Sequence, residues 1–310
     1  MDDGGVAQAR EVLRGLDLFR HVDASGIEVT RLGGLTNLVF RVDHGGEHCV
    51  LRIPGKGTEE YIDRANEAQA AREAARVQVS PAVLHFDPAT GVMVTRFVED
   101  AVTLTAEKFR SIPGAPARAG EVFRKLHGSG AVFNFRFELF AMIDDYLQVL
   151  AGKETRLPAG YHDVVTEAEA VRAALTTRPL PLAACHCDPL CENFLDVGSR
   201  MWLVDWEYSG MNDPMWDLGD LSVEGGFSAA QDEEMFRAYF GGEPRAVDRG
   251  RIVIYKAMCD LLWTLWGLIQ HANQNPVDDF WAYSVNRFER CKTLMATPEF
   301  YRHVASVRQG

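Results

Sequence analysis

Positive charge is scarce in this sequence: 32 Lys and Arg stand against 44 Asp and Glu, a net charge of −12. A nucleic-acid partner needs basic surface to displace condensed counterions, so that class is disfavoured and a cationic or small-molecule partner fits better. Long apolar runs are missing as well. The longest, residues 261–269, contains two Trp and falls far short of the ~20 residues a membrane span requires. The start, Met1-Asp2-Asp3-Gly4-Gly5, has neither a basic nor an apolar segment, so no secretory signal and no membrane partner are expected, and the chain is placed in the cytoplasm. Paired C-x-x-C knuckles are absent. Cys185, His186, Cys187 and Cys191 lie close in sequence, but no second cluster completes a structural zinc site. With Cys49, Cys259 and Cys291 they read as small buried thiols, and neither zinc nor disulfides are expected.

What is present is an ordinary globular composition. With 310 residues, 47% of them hydrophobic, the chain is long enough to bury the core of one large domain or of two lobes. Apolar spacing predicts a helix over residues 6–19. Short β-prone runs follow at 27–31, 38–43 and 48–53, then a polar, Ala-rich helix over 61–79 and two more strands at 83–86 and 91–97. Beyond Glu99 the pattern is helical: 117–127, 139–151, 162–176, 229–240, 248–272 and 277–296. The expected class is α+β and bilobal: residues 1–97 form a small antiparallel sheet with one helix, a nucleotide-binding lobe. Residues 98–310 form a larger, mainly helical lobe carrying catalysis and substrate binding.

The chemistry is concentrated in His186-Cys187-Asp188-Pro189-Leu190-Cys191-Glu192-Asn193, followed by Leu203-Val204-Asp205-Trp206-Glu207-Tyr208. The spacing H-x-D-x-x-x-x-N with a second Asp after an apolar run supplies what kinase-type phosphoryl transfer needs. One carboxylate takes the proton of the attacking hydroxyl, and an Asn with a second carboxylate holds magnesium against the triphosphate. Residues 193–197 and 200–206, joined at Gly198-Ser199, read as a hairpin. Such a hairpin brings Asn193 and Asp205 to the same end of two paired strands. The competing reading is that Asp188 and Asn193 are only turn formers or caps.

Three further features are read with their alternatives. Gly33-Gly34-Leu35-Thr36-Asn37 forms a corner whose backbone N–H groups can approach phosphates, or a plain hairpin turn. Arg52, on the third strand, either binds the α- and β-phosphates with Glu67 on the long helix as its partner, or is a solvated strand residue. Trp263 and Trp266, three apart, share one helix face and offer ring quadrupoles to a quaternary ammonium, or pack as core.

These strings together resemble the choline/ethanolamine kinase family, among the aminoglycoside-phosphotransferase-like small-molecule kinases. The resemblance rests on the glycine corner before Phe40-Arg41-Val42, on Val50-Leu51-Arg52-Ile53-Pro54-Gly55, on Leu126-His127 and on the catalytic loop. It rests most on Val204-Asp205-Trp206-Glu207-Tyr208-Ser209-Gly210 with Trp216-Asp217-Leu218-Gly219. Trp206 stands where Phe is common in the family. The resemblance implies a protein-kinase-like fold and ATP-dependent phosphorylation of an amino alcohol's hydroxyl, with choline first and ethanolamine, thiamine or an aminoglycoside as alternatives. It implies Asp188 as base, with Asn193 and Asp205 as catalytic Mg2+ ligands. Gly34, Thr36, Asn37, Arg52 and Glu67 would bind ATP. Asp217 would brace the catalytic loop, and Tyr208, Glu224, Trp263, Trp266 and Tyr283 would form the amine pocket. A nucleotide- or amine-sensing pseudokinase is the rival from another class. A protein kinase is disfavoured by the lack of D-F-G and A-P-E strings and by the short interval between Asp205 and Asp217.

Overall fold

The computed structural model describes residues 5–23, 26–34, 37–55, 57–58, 62–153 and 155–310. The chain forms two compact units, Met1–Thr103 with Asn193–Tyr208, and Leu104–Glu192 with Ser209–Gly310. The motif hairpin, expected in the helical lobe, therefore belongs with the sheet unit, while Asp188 belongs with the helical unit.

The first unit opens with α1 (Val6–Gly15), which ends earlier than its expected boundary and passes into a single 3-10 turn, Asp17–Phe19. Five antiparallel strands follow: β1 (Glu28–Gly33), β2 (Leu38–His44), β3 (Glu47–Ile53), β4 (Val83–Phe86) and β5 (Met93–Arg96), in the order β1-β2-β3-β5-β4. Alternation places Phe40 and Val42 of β2, with Cys49, Leu51 and Ile53 of β3, in one apolar core. Ala9 and Leu13 of α1 close that core from the side. Between β3 and β4 runs α2 (Arg64–Arg76). Its N-cap, Asp63, accepts hydrogen bonds from the backbone N–H of Ala65 (2.9 Å) and Asn66 (3.1 Å), satisfying donors the first turn leaves orphaned.

A second, three-stranded sheet completes this unit. β6 (Val102–Thr103) pairs with β8 (Phe194–Asp196), which follows β7 (Ala183–Cys185) in the chain, and β8 pairs with β9 (Met201–Leu203).

In the second unit, β7 pairs with β10 (Gly210–Asn212) and the rest is helical: α3 (Ala106–Ser111), α4 (Ala115–His127), α5 (Leu139–Gly152), α6 (Tyr161–Thr177), α7 (Met215–Glu224), α8 (Ala229–Phe240), α9 (Ala246–Ala272), α10 (Phe280–Met295) and α11 (Pro298–Gln309). All six helices expected beyond Glu99 are present, and α3, α7 and α11 are additional. The spine is α9, against which α5, α7, α10 and α11 pack. By length and composition α9 is apolar enough to cross a membrane, although its unbroken apolar runs are short. Its most apolar window is 83% buried inside the protein, so its hydrophobicity serves the core of the unit. Close approach to α9 explains Gly219 of α7, where a Cβ would lie 2.8 Å from the Ile252 carbonyl oxygen. All six cysteines are free thiols and buried.

Candidate active site

In the first unit, β3, α2 and the segment that follows β9 bring two guanidiniums and three carboxylates together. Arg52 forms an ion pair with Glu67, and both side chains are almost fully buried. Arg52 Nη1 also lies 3.3 Å from Glu207 Oε1 and 3.4 Å from Asp205 Oδ1. Arg64, in the first turn of α2, donates to Glu67 Oε2 at 2.7 Å and to Glu207 Oε1 at 2.6 Å. Burial alone would depress the Arg52 guanidinium. The charges of Glu67, Glu207 and Asp205 more than reverse this, so it stays protonated and its pKa is raised. Arg52 is thus a buried cation held by acids, not a solvated strand residue.

The glycine corner is shaped by sterics. Gly34 has φ 112°, and a Cβ there would meet the Asn37 carbonyl oxygen at 2.1 Å, so only glycine fits. Asn37 is buried, with its amide donating to Glu207 Oε1 at 3.0 Å and its oxygen accepting from Gly55 N–H at 3.2 Å. Its side chain thereby ties the corner to the same charge cluster. Thr36, the other residue expected here, lies outside the described residues.

The hairpin has the geometry its spacing implied. Phe194 pairs with Leu203, and Val204 N–H donates to the Asn193 carbonyl at 3.1 Å, so Asn193 and Asp205 sit at one end of the two strands. Asp205 adopts φ 67°, an uncommon backbone for a non-glycine residue. Oxygens of Glu67, Asp205 and Glu207 lie within 4.8 Å of one another, and the Asp205 side chain is 35% exposed against 0% for Glu67 and 8% for Glu207. Carboxylate and amide oxygens of this kind fit a hard divalent cation. Trp206 is buried, and the N–H that Phe would lack donates to Ser80 Oγ at 3.0 Å.

In the second unit, Asp217 organises the loop that leads to Asp188. It accepts hydrogen bonds from the backbone N–H of His186 (2.8 Å) and Cys187 (2.8 Å). His127 bridges Asp217 Oδ2 and the Tyr239 hydroxyl, at 3.0 Å to each. Trp216 Nε1 donates to the Cys187 carbonyl (3.0 Å), where Cys187 takes φ 67°. The loop preceding Asp188 is thus held from both its N–H and its C=O groups. His127, Cys185 and Asp217 could together hold a metal by distance alone. However, the Asp217 oxygens are committed to the loop and burial pushes the Cys185 thiol up, so the cluster acts as a brace.

The residues assigned to the amine pocket are placed as follows. Trp263 is buried, its indole N–H donating to Asp220 Oδ2 at 3.2 Å. Trp266 is half-buried and edge-on to Tyr283 (centroids 5.9 Å) and Phe280 (5.6 Å) of α10. Glu224 forms an ion pair with Arg287, whose guanidinium lies 4.7 Å above the Tyr283 ring. Burial pushes the Tyr283 phenol up; Arg287 opposes this, and the neighbouring acids Glu224 and Asp188 add to it. Tyr208 is half-buried and ends the hairpin segment of the first unit.

Sequence reasoning overlooked Arg64, Glu207, Asp220 and Arg287. Arg64 stands three residues before Glu67, and that i,i+3 spacing could have flagged it. Glu207 stands in the string that carries the resemblance but was given no role there, and the partners of Asp220 and Arg287 come from far along the chain and left no local signal.

The pattern of a family described as "Phosphotransferase enzyme family" matches residues 28–252. The fold is similar to that of a choline/ethanolamine kinase family protein from Mesorhizobium loti, with 68% identity and a TM-score of 0.89 over 98% of this chain and 99% of that one. It is similar also to the choline kinase LicA of Streptococcus pneumoniae, with 26% identity and a TM-score of 0.78 over 93% of this chain and 99% of that one. Protein LicA of Haemophilus influenzae is 25% identical over 285 residues, 90% of this chain and 83% of its relative. With the sheet-plus-helix first unit and the helical second unit, the fold is protein-kinase-like.

Proposed function

From the premise that the chain belongs to the phosphotransferase enzyme family and, within it, to the choline/ethanolamine kinase family, we propose that it transfers the γ-phosphoryl of ATP to an amino alcohol, with choline the first candidate. The observation that carries this reading is the buried Arg52–Glu67 pair in the same unit as Asn193 and Asp205. Buried guanidinium pairs are costly to build and are expected where planar, bidentate phosphate recognition is needed.

In this mechanism Asp188 orients the substrate hydroxyl and accepts its proton as the O–P bond forms. Arg52, held in place by Glu67 and Glu207, binds the α- and β-phosphates. Arg64 reinforces that orientation through the same two acids. Asn193 and Asp205 would hold magnesium, which when bound neutralises charge on the β- and γ-phosphates. Asp217 and His127 keep the loop before Asp188 rigid, so little reorganisation remains at the moment of transfer. Glu224, Trp266 and Tyr283, with Trp263 and Tyr208, bind the ammonium group; each ring contributes roughly 0.5–2 kcal/mol. The same reading places the enzyme in the cytoplasm with its nucleotide.

The test is ADP release from Mg-ATP with choline, ethanolamine, thiamine and an aminoglycoside in parallel. Choline-dependent turnover is expected to dominate. A different winner would keep the reaction and sink the ring-cage assignment, and nucleotide binding without turnover on any of them would favour a pseudokinase.

A further inference from the structure

Five charged side chains meet where α7, α9 and α10 pack: Asp220 and Glu224, Asp260, Arg287 and Arg290. Arg287 is shared between Glu224 and Asp260, reaching Asp260 Oδ1 at 3.1 Å. Arg290 Nε donates to Asp260 Oδ2 at 3.0 Å. Both guanidiniums are thus committed to Glu224 and Asp260. Asp220, fully buried, has only the Trp263 indole N–H on its Oδ2, and its Oδ1 is buried with no hydrogen-bond partner among the described residues. A buried carboxyl without a cation must carry a proton or await one.

Its surroundings favour the proton. Burial raises the Asp220 pKa first, and the charges of Glu224 and Asp188 add to it, against the opposing pull of Arg287 and of the Trp263 hydrogen bond. The other titratable groups facing it, the Cys187 and Cys259 thiols and the Tyr283 phenol, are pushed up by burial and stay neutral, so none supplies a positive charge. The cluster is short of one cation.

We propose that Asp220 is the charge-matching carboxyl of the amine site: it holds a proton while the site is empty and releases it when a cationic amino alcohol binds. This rests on the amino-alcohol kinase reading above. The balance is simple. The substrate brings one positive charge, the Asp220 carboxylic acid becomes a carboxylate, and one proton leaves to solvent, so the charge of the site is unchanged by loading. The amine is bound more tightly as pH rises, and an uncharged substrate of the same shape gains nothing from Asp220.

Titration calorimetry of choline into the full chain, in two buffers of different ionisation heat at neutral pH, reads the protons released. About one proton per choline is expected, and none for the uncharged isostere with a tert-butyl group in place of trimethylammonium. Asp220→Asn keeps the shape and an acceptor for Trp263. It should abolish the release and raise KM for choline on the order of ten-fold, leaving kcat within about two-fold. Choline bound without proton release by a protein that phosphorylates it, or equal release from Asp220→Asn, overturns the inference and leaves the kinase reading standing. If no amine binds or turns over, that reading falls and the inference with it. Should the variant not fold, the wild-type proton count against the uncharged isostere decides alone.

Discussion

In the first unit Glu67, Asp205 and Glu207 share Arg52 and Arg64; in the second, Glu224 and Asp260 share Arg287 and Arg290, and Asp220 beside them pairs with neither. Each cluster has one negative charge in excess, and the two put it in different places. In the first, every acid lies within reach of a guanidinium and the most exposed is Asp205, at 35%. In the second, the excess sits on Asp220, which water does not reach. An exposed excess can be met by an ion drawn from solution. A buried one waits for a proton or for a ligand that brings its own charge.

Removing the central pairing of either cluster should give the largest effect. Glu67→Ala takes from Arg52 its fully buried partner and Arg287→Ala strands Glu224, and each should cost about 3–5 kcal/mol in urea unfolding. A loss under about 1 kcal/mol in either would show that the buried pairs carry no structural weight. The exposed end of the first cluster should behave differently. Asp205→Asn is expected to lower kcat by roughly 10²–10³-fold with the unfolding midpoint nearly unchanged; a large stability loss with normal kcat would erase the contrast between the two excess charges.

Asp220 tests the buried end through pH. Its pKa is raised in the folded protein, so the native state binds more protons than the unfolded chain above the ordinary carboxyl pKa of ~3.9. The stability this provides is complete below that value and is lost as pH rises towards the folded pKa, at about 1.4 kcal/mol per pH unit. Wild type should therefore lose stability relative to Asp220→Asn across that window, and parallel pH profiles would remove the proton from Asp220. The smallest effect is a control outside both clusters: Asp63→Ala, which removes the α2 N-cap, should cost about 1 kcal/mol in the same assay.

Elements with a clean period were legible in the sequence. The five strands of the first sheet, α4, α5, α6 and α8 appear close to their expected places, and most of them carry one buried face. α7 was overlooked for the opposite reason. Residues Met215 to Ser222 are all buried, so the helix presents no polar stripe, and its buried Asp217 and Asp220 interrupt the apolar pattern. The strands β6 and β10 are two and three residues long and exist only through their partners. At the site, the motif gave Asp188, Asn193 and Asp205 by spacing. Glu207 and Arg287 depend on pairings with Arg64 and Glu224 far along the chain, which no local pattern encodes.

The first unit is assembled from two stretches of chain, and this has a consequence for how the protein is made. Residues 104–192 must leave the ribosome before the strands β8 and β9, with Glu207, can close onto the sheet. Until then β6 has no partner strand, and Arg52 and Arg64 have only Glu67 among their three acids. Domains usually fold in the order they emerge, but here the earliest unit to appear is completed late. A nascent chain halted before residue 193 should expose an unfinished, protease-sensitive first unit, and synthesis past Tyr208 should protect it.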